Sequence, residues 1–308
     1  MQIKEVRVNK YHEPALLKET IQGLDVKSDG VYVDVTFGGG GHSRSIMEQL
    51  SAQGKLFAFD QDPDAKRNLW EDDRLVFIPQ NFIYLKNFLR INQAIPVDGI
   101  LADFGVSFHQ FDEADRGFSF RFDGPLDMRM DQKRELTAAK VVNEYSVEEL
   151  ERVLKNYGEL RDAKRVARKI EQERAQVDLK TIGQFKKALS RLVPEKQEHK
   201  FLAQVFQALR IEVNEELKVI EVFLEQSLEV LKEGGRLVVI TYHSLEDRLV
   251  KNFFKSGNFR GELEKDFYGN VIRPFVAINR KPIVPTSSEI QLNNRSRSAK
   301  LRIAKKVA

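Results

Sequence analysis

The run Val31-Tyr-Val-Asp-Val-Thr-Phe-Gly-Gly-Gly-Gly-His42 constrains the fold more than any other stretch of the chain. It begins as a β-branched and aromatic segment, the composition of a buried strand. It then breaks into four consecutive glycines, Gly38 to Gly41. Without Cβ atoms these let the main chain turn sharply and approach a ligand closely. Apolar residues at 46, 47 and 50 suit a helix immediately afterwards. Strand, glycine turn and helix form the front end of a nucleotide-type cofactor site. A glycine-rich surface loop is the alternative. The next strand, Lys55-Leu-Phe-Ala-Phe-Asp60, argues for the site, because it ends on a carboxylate. Asp60 lies 19 positions after Gly41. An acid that binds ribose hydroxyls is expected about 20 residues on.

The dinucleotide pattern G-x-G-x-x-G/A fails. Counted from Gly38, its last position falls on Ser43; counted from Gly39, on Arg44. No G-K-[ST] follows, so a P-loop fails as well. A strand acid ahead of the glycines (Asp34), a downstream strand-end acid (Asp60) and a third strand ending Ile100-Leu-Ala-Asp103 suit an S-adenosylmethionine site instead. By fold-level analogy, that third strand end lies beside the transferable methyl group.

Composition narrows the chemistry. The 308 residues contain no cysteine, which removes disulfides, cysteine metal sites and thiolate-dependent methylation at pyrimidine carbon 5. Nitrogen or oxygen is then the expected methyl acceptor. The five histidines, at 12, 42, 109, 199 and 243, have no H-E-x-x-H spacing, and no metal site is expected. No apolar run approaches the roughly 20 residues of a membrane span, and MQIKEVRVNKYHEP lacks the apolar centre of a signal peptide. The expectation is a cytoplasmic protein with no membrane partner.

Along the chain, strands read at 31–36, 55–60, 75–79 and 97–103, and helices near 13–24, 43–52, 63–70 and 82–92. This alternation predicts a doubly wound α/β fold with a Rossmann-like sheet. From about 136 the strands stop, returning only at 236–242. Ser146-Val-Glu-Glu149 and Thr181-Ile-Gly-Gln184 are capping boxes opening apolar helical faces, and a further helix reads from about 199. The expected organisation is a methyltransferase domain of residues 1–135 and 211–308, with an inserted all-helical substrate-recognition domain at 136–210.

Two basic features stand out. On the helix from Arg161 to Arg174, Lys164, Arg165, Arg168 and Lys169 share one side, opposite Ala163, Val166, Ala167 and Ile170. From Asn270 to Ala308 nine cations, among them Arg295, Arg297 and Lys300, face Glu289 alone, a net charge of +8. Both suit RNA phosphates, with a solvated face and a solubilising tail as the alternatives. Leu301-Arg-Ile303 within the tail reads as an edge strand.

The chain resembles the bacterial 16S ribosomal RNA cytosine-N4 methyltransferases, the MraW-like (H-type) small-subunit enzymes. The resemblance rests on YHEPALL at 11–17, DVTFGGGGHSR at 34–44, AFDQDP at 58–63 and LADFGVSFHQFDEADRGFSFRFDGPLDMRMD at 101–131. It continues with FQALRIEVNEEL at 206–217, GGRLVVITYHSLEDRLVKNFF at 234–254 and NRSRSAKLR at 294–302. It departs from the family at Phe108-His109, where Ser-Pro is usual, and at KFLAQV (200–205), which replaces a more polar stretch. The resemblance implies a methyl acceptor in 16S ribosomal RNA, within the assembled small subunit. It also implies cofactor contacts from Gly40, Gly41, His42, Asp60, Phe82, Asp103 and Gln110. Asp103 has two readings. As a catalytic residue it accepts from the cytosine N4 amine, a known carboxylate pairing; otherwise it binds the cofactor. Amino-group methyltransferases often carry [DNS]-P-P-[YFW] here, where this chain has Asp103-Phe-Gly-Val106. In His243-Ser-Leu-Glu-Asp247, Ser244 reads as a helix cap, with Asp247 in capping-box register. Competing readings are a methyltransferase for another nucleic acid or a small molecule, and a non-catalytic RNA-binding protein.

Overall fold

Burial explains the order of the first elements. The computed structural model describes residues 14–307; Tyr11, His12 and Glu13, with the start of the helix expected near 13–24, lie outside the described residues. The chain runs through α1 (Leu17–Leu24), β1 (Val31–Asp34), α2 (Gly41–Met47), β2 (Lys55–Phe59), β3 (Leu75–Ile78), α3 (Leu85–Ile91) and β4 (Val97–Asp103). Most residues of β1, β2 and β4 are buried, as expected for parallel strands covered on both faces. Residues 63–70, expected as an α-helix, form a 3-10 turn over Pro63–Asn68. That segment buries only Ala65 and offers no apolar stripe to hold a longer helix.

The remaining elements are α4 (Phe108–Asp112), α5 (Ala138–Glu144), α6 (Val147–Asn156), α7 (Ala163–Arg174), α8 (Ile182–Leu189), α9 (Glu195–Asn214), α10 (Glu216–Val230), β5 (Leu231–Thr241), α11 (Ser244–Ser256), β6 (Glu264–Lys265), β7 (Val271–Ile272), β8 (Phe275–Ala277), α12 (Ser287–Leu292) and β9 (Lys300–Lys306). The main sheet has the order β3-β2-β1-β4-β5-β9-β8. Its first five strands are parallel, and β9 runs antiparallel to both neighbours. Strand order reverses between β1 and β4, which opens a crevice beyond their carboxyl ends. Asp34 ends one of these strands and Asp103 the other.

β9 is a correction to the edge-strand expectation. It pairs with β5 on one side and with β8 on the other. β8 is three residues long and buries only Phe275, so it leaves no two-residue periodicity for a sequence reading to find.

The chain divides into two compact units, one reaching Gly105 and resuming at Leu224, the other spanning Val106–Phe223. The second unit is helical. Its core collects Leu150, Val153 and Leu154 of α6, Val166, Ala167 and Ile170 of α7, Phe185 of α8 and Val205, Phe206 and Leu209 of α9. Both expected capping boxes are formed, Ser146 with Glu149 and Thr181 with Gln184. The unit is wider than 136–210 because Phe118, Leu126, Met128 and Met130 contribute to the same core. Asn214 fixes that segment, accepting from the Met130 N–H at 2.8 Å and donating to the Met128 carbonyl at 2.8 Å.

Candidate active site at the strand ends

The glycine turn is anchored by carboxylates on both sides. Asp34, fully buried, accepts from the Ser43 hydroxyl at 2.6 Å and from the Thr36 N–H at 3.0 Å. It thereby ties the end of β1 to the first turn of α2. Burial raises its pKa, and the Ser43 and Thr36 hydrogen bonds oppose that rise. Asp60, half-buried after β2, accepts from the Gly38 N–H at 2.7 Å and from the Asp62 N–H at 2.8 Å. Burial pushes its pKa up to about 6. Gly38 and Gly40 adopt φ of +49° and +75°, the left-handed region that glycine enters at no steric cost. A Cβ on Gly40 would stand 3.0 Å from Phe37 and 3.1 Å from Trp70, and one on Gly41 would overlap Pro14. Packing therefore demands these two glycines independently of any ligand.

Asp103 sits at the end of β4. Its N–H donates to the Thr36 hydroxyl at 2.7 Å, its Oδ1 accepts from the Tyr242 hydroxyl at 2.9 Å, and its Oδ2 lies 3.9 Å from His42 Nδ1. Burial pushes its pKa up to about 7; Asp34 and Glu246 push in the same direction and the Tyr242 hydrogen bond opposes them. His42 is buried, which lowers its pKa to about 4. The neutral ring donates from Nε2 to the Ala15 carbonyl at 3.3 Å, so Nδ1 carries the lone pair that faces Asp103. Phe82 stacks against Phe104 with ring centroids 5.9 Å apart and planes at 28°. Gln110 belongs to the helical unit, where it is buried and its Oε1 accepts from the Ser107 N–H at 3.1 Å. The structure thus gathers Gly40, Gly41, His42, Asp60 and Asp103 at adjacent strand ends of one unit.

Past β5, the cap of α11 is His243 rather than Ser244. His243 accepts from the Glu246 N–H, and Glu246 Oε2 accepts from the N–H groups of Tyr242 at 2.8 Å and His243 at 3.2 Å. Asp247, freed from capping, accepts from Arg302 Nε at 2.6 Å and lies 3.6 Å from Lys300. Lys300, expected to meet phosphate, therefore already faces a carboxylate. On α7, Lys164, Arg165 and Arg168 are exposed and the opposite face is buried as expected. Lys169 is half-buried and paired with Glu173. Lys155 and Arg161 join these cations along a groove in the helical unit. Arg297 is exposed and Arg295 half-buried in the turn Asn294–Ser298.

Sequence reasoning missed Tyr242, Thr36 and Ser43. Removing the Tyr242 hydroxyl takes away the hydrogen bond that holds the Asp103 pKa down. For Tyr242→Phe the expected outcome is an acid limb of the rate–pH profile shifted to higher pH, with cofactor affinity little changed. An unmoved limb would separate Tyr242 from the function of Asp103.

The MraW methylase family matches residues 9–307. The chain belongs to that family. It is 57% identical to the ribosomal RNA small subunit methyltransferase H of Flavobacterium johnsoniae over 298 residues, covering 97% of this chain and 98% of that protein. The enzyme of the same name from Parabacteroides distasonis is 55% identical, with 96% and 98% covered. The one from Amoebophilus asiaticus is 51% identical over the whole of both chains. As a member of the family, the protein is a methyltransferase that uses S-adenosylmethionine. The strand-end site fits that cofactor. The Asp60 carboxylate retains lone pairs beyond the two given to N–H groups, and the Phe82–Phe104 pair offers an apolar surface for a base. No helix among the described residues is long and apolar enough to cross a membrane.

Proposed function

We propose that the protein methylates the exocyclic N4 of a cytosine in small-subunit (16S) ribosomal RNA. The observation that carries this reading is Asp103: a half-buried carboxylate with one oxygen fixed by Tyr242 and the other open to an N–H donor. Bound S-adenosylmethionine supplies an electrophilic methyl group. Asp60 would take the ribose hydroxyls, Phe82 would flank the adenine, and Gly40, Gly41 and His42 would complete this unit's contacts to the cofactor. A cytosine amine is a weak nucleophile because its lone pair is delocalised into the ring. Asp103 Oδ2, accepting one N4–H, would orient that lone pair toward the methyl carbon and take up the proton as the C–N bond forms, the S–CH3 bond breaks and the sulfur leaves as a neutral thioether. The names of the relatives support ribosomal RNA as the acceptor, and the absence of cysteine supports nitrogen over carbon 5. The target base leaves its stack to reach the site, and the partner in this reading is ribosomal RNA in the assembled subunit, in the cytoplasm, with the helical unit reading it.

The test is incubation with labelled methyl donor and naked 16S RNA, assembled small subunits or DNA, followed by nucleoside analysis. N4-methylated cytidine from RNA is the expected product. Label confined to DNA, or to another nucleoside, overturns the reading.

Neutralising Lys164, Arg165 and Arg168 together, or Arg295 and Arg297 together, should weaken RNA binding while cofactor affinity stays unchanged. Each phosphate that goes without its cation should lower the log–log salt slope by about 0.7–0.9. Lys169 and Lys300 should contribute less, because Glu173 and Asp247 already answer their charge. Binding titrations across a salt series decide this, and slopes equal to the unaltered protein would mean that these cations are merely solvated.

A further inference from the structure

Strands β6 and β7 form a two-stranded antiparallel ribbon separate from the main sheet. An isolated ribbon of this size has little intrinsic stability, and its turn is held by one side chain. Asp266 Oδ1 accepts from the N–H groups of Tyr268 at 2.9 Å and Asn270 at 2.8 Å, and Oδ2 accepts from the Asn270 amide at 2.9 Å. The ordered turn carries two aromatic rings at its tip, Phe267 at 97% and Tyr268 at 86% exposure. Their centroids are 5.6 Å apart and their planes stand at 87°, so each keeps an open face.

The ribbon also sorts its charges. Lys265 pairs with Val271 and Glu264 with Ile272. Side chains alternate along a strand, so Lys265 and Val271 share one face, and Leu263 and Arg273, two residues along, follow on it. Glu262, Glu264 and Asp266 fall on the other. One face thus carries both cations and the other the acids with Ile272 among them, and the Asp266 carboxylate is occupied by main-chain and Asn270 donors. Leu263 and Val271 are 45% and 37% exposed, so this face too is open to a partner.

We propose that this hairpin is an RNA contact: Phe267 and Tyr268 stack on unpaired bases of the substrate RNA while Lys265 and Arg273 meet the adjoining phosphates. The inference rests on RNA being the substrate. Planar rings beside cations match single-stranded RNA in particular, because every base has a π-face and every nucleotide a negative charge.

The test compares Phe267→Ala/Tyr268→Ala with Phe267→Trp/Tyr268→Trp and Phe267→Leu/Tyr268→Leu in the full-length protein. RNA affinity, its salt slope, cofactor affinity and oligomeric state are read, with methyl transfer by the unaltered protein measured alongside. Loss of one stacked ring should weaken RNA binding about 5- to 150-fold. The alanine and leucine pairs, each lacking both rings, should lose at least this much, the tryptophan pair should not, and salt slope and cofactor affinity should stay constant. Unchanged RNA affinity in the alanine pair overturns the proposal. So does full affinity in the leucine pair, which would mark an apolar protein contact, and so does an altered oligomeric state. If the unaltered protein transfers no methyl to any RNA, the functional reading itself fails; if it does and the variants match it, only the hairpin assignment fails.

Discussion

Replacing Asp103 with alanine should severely reduce turnover, with the rate falling by about a hundredfold to ten-thousandfold, the range for loss of a positioned proton acceptor. The fold should persist, because the carboxylate is only half-buried and its strand is held by main-chain pairing to β1 and β5. Asp103→Asn sharpens the test. The amide oxygen can still accept from Tyr242, but the side chain can no longer take a proton. The pH dependence has a defined sign. With a pKa near 7 in the folded protein, Asp103 is ionised above that value and protonated below it. Only the ionised form can take up the N4 proton, so the rate should climb with pH and level off above about 7. Both variants should lose this limb along with the rate. Single-turnover kinetics beside calorimetric cofactor titration separate the two roles of Asp103. Turnover falling far more than affinity supports the amine contact; equal losses assign Asp103 to the cofactor.

Asp60→Ala should weaken cofactor binding by about ten- to a hundredfold, the equivalent of roughly 1.5–3 kcal/mol for a hydrogen bond to a charged acceptor. Two effects combine in that loss. The ribose hydroxyls lose their acceptor, and Gly38 N–H and Asp62 N–H lose the carboxylate that shapes the turn. The pKa near 6 again sets a direction. The carboxylate is ionised above that value, so affinity should be level at neutral pH and fall as pH drops through about 6. In the alanine variant this dependence should vanish. Calorimetry at three pH values checks it, and unchanged affinity at neutral pH would remove Asp60 from the site.

The parts of this architecture that sequence exposed are those with local causes. The parallel strands read correctly because burial on both faces makes them continuous apolar runs. The capping boxes at Ser146 and Thr181 involve partners three residues away, and the buried face of α7 repeats every turn. The three strand-end acids announced themselves by position alone. What stayed hidden depends on distant partners. Tyr242 meets Asp103 across 139 residues, and nothing in the local run Thr241-Tyr-His243 points there. The second role of Asp60, as acceptor for the glycine turn, needs the two loops side by side. The helical unit begins near 106 rather than 136 because an irregular segment without periodicity still buries Phe118, Leu126 and Met128. The pairing of Asp247 with Arg302 across 55 residues was hidden in the same way.

The place of β9 between β5 and β8 has a bearing on how the chain acquires its shape. Strand β5 buries Leu237, Val238, Val239 and Ile240, yet its second hydrogen-bonding edge is covered only by residues 300–306. A nascent polypeptide that has emerged as far as α11 carries all three strand-end acids and an unprotected apolar edge, the feature that templates aggregation. Maturation of the sheet therefore waits on residues 300–306, and any nick ahead of residue 300 would leave an adhesive intermediate instead of a smaller enzyme.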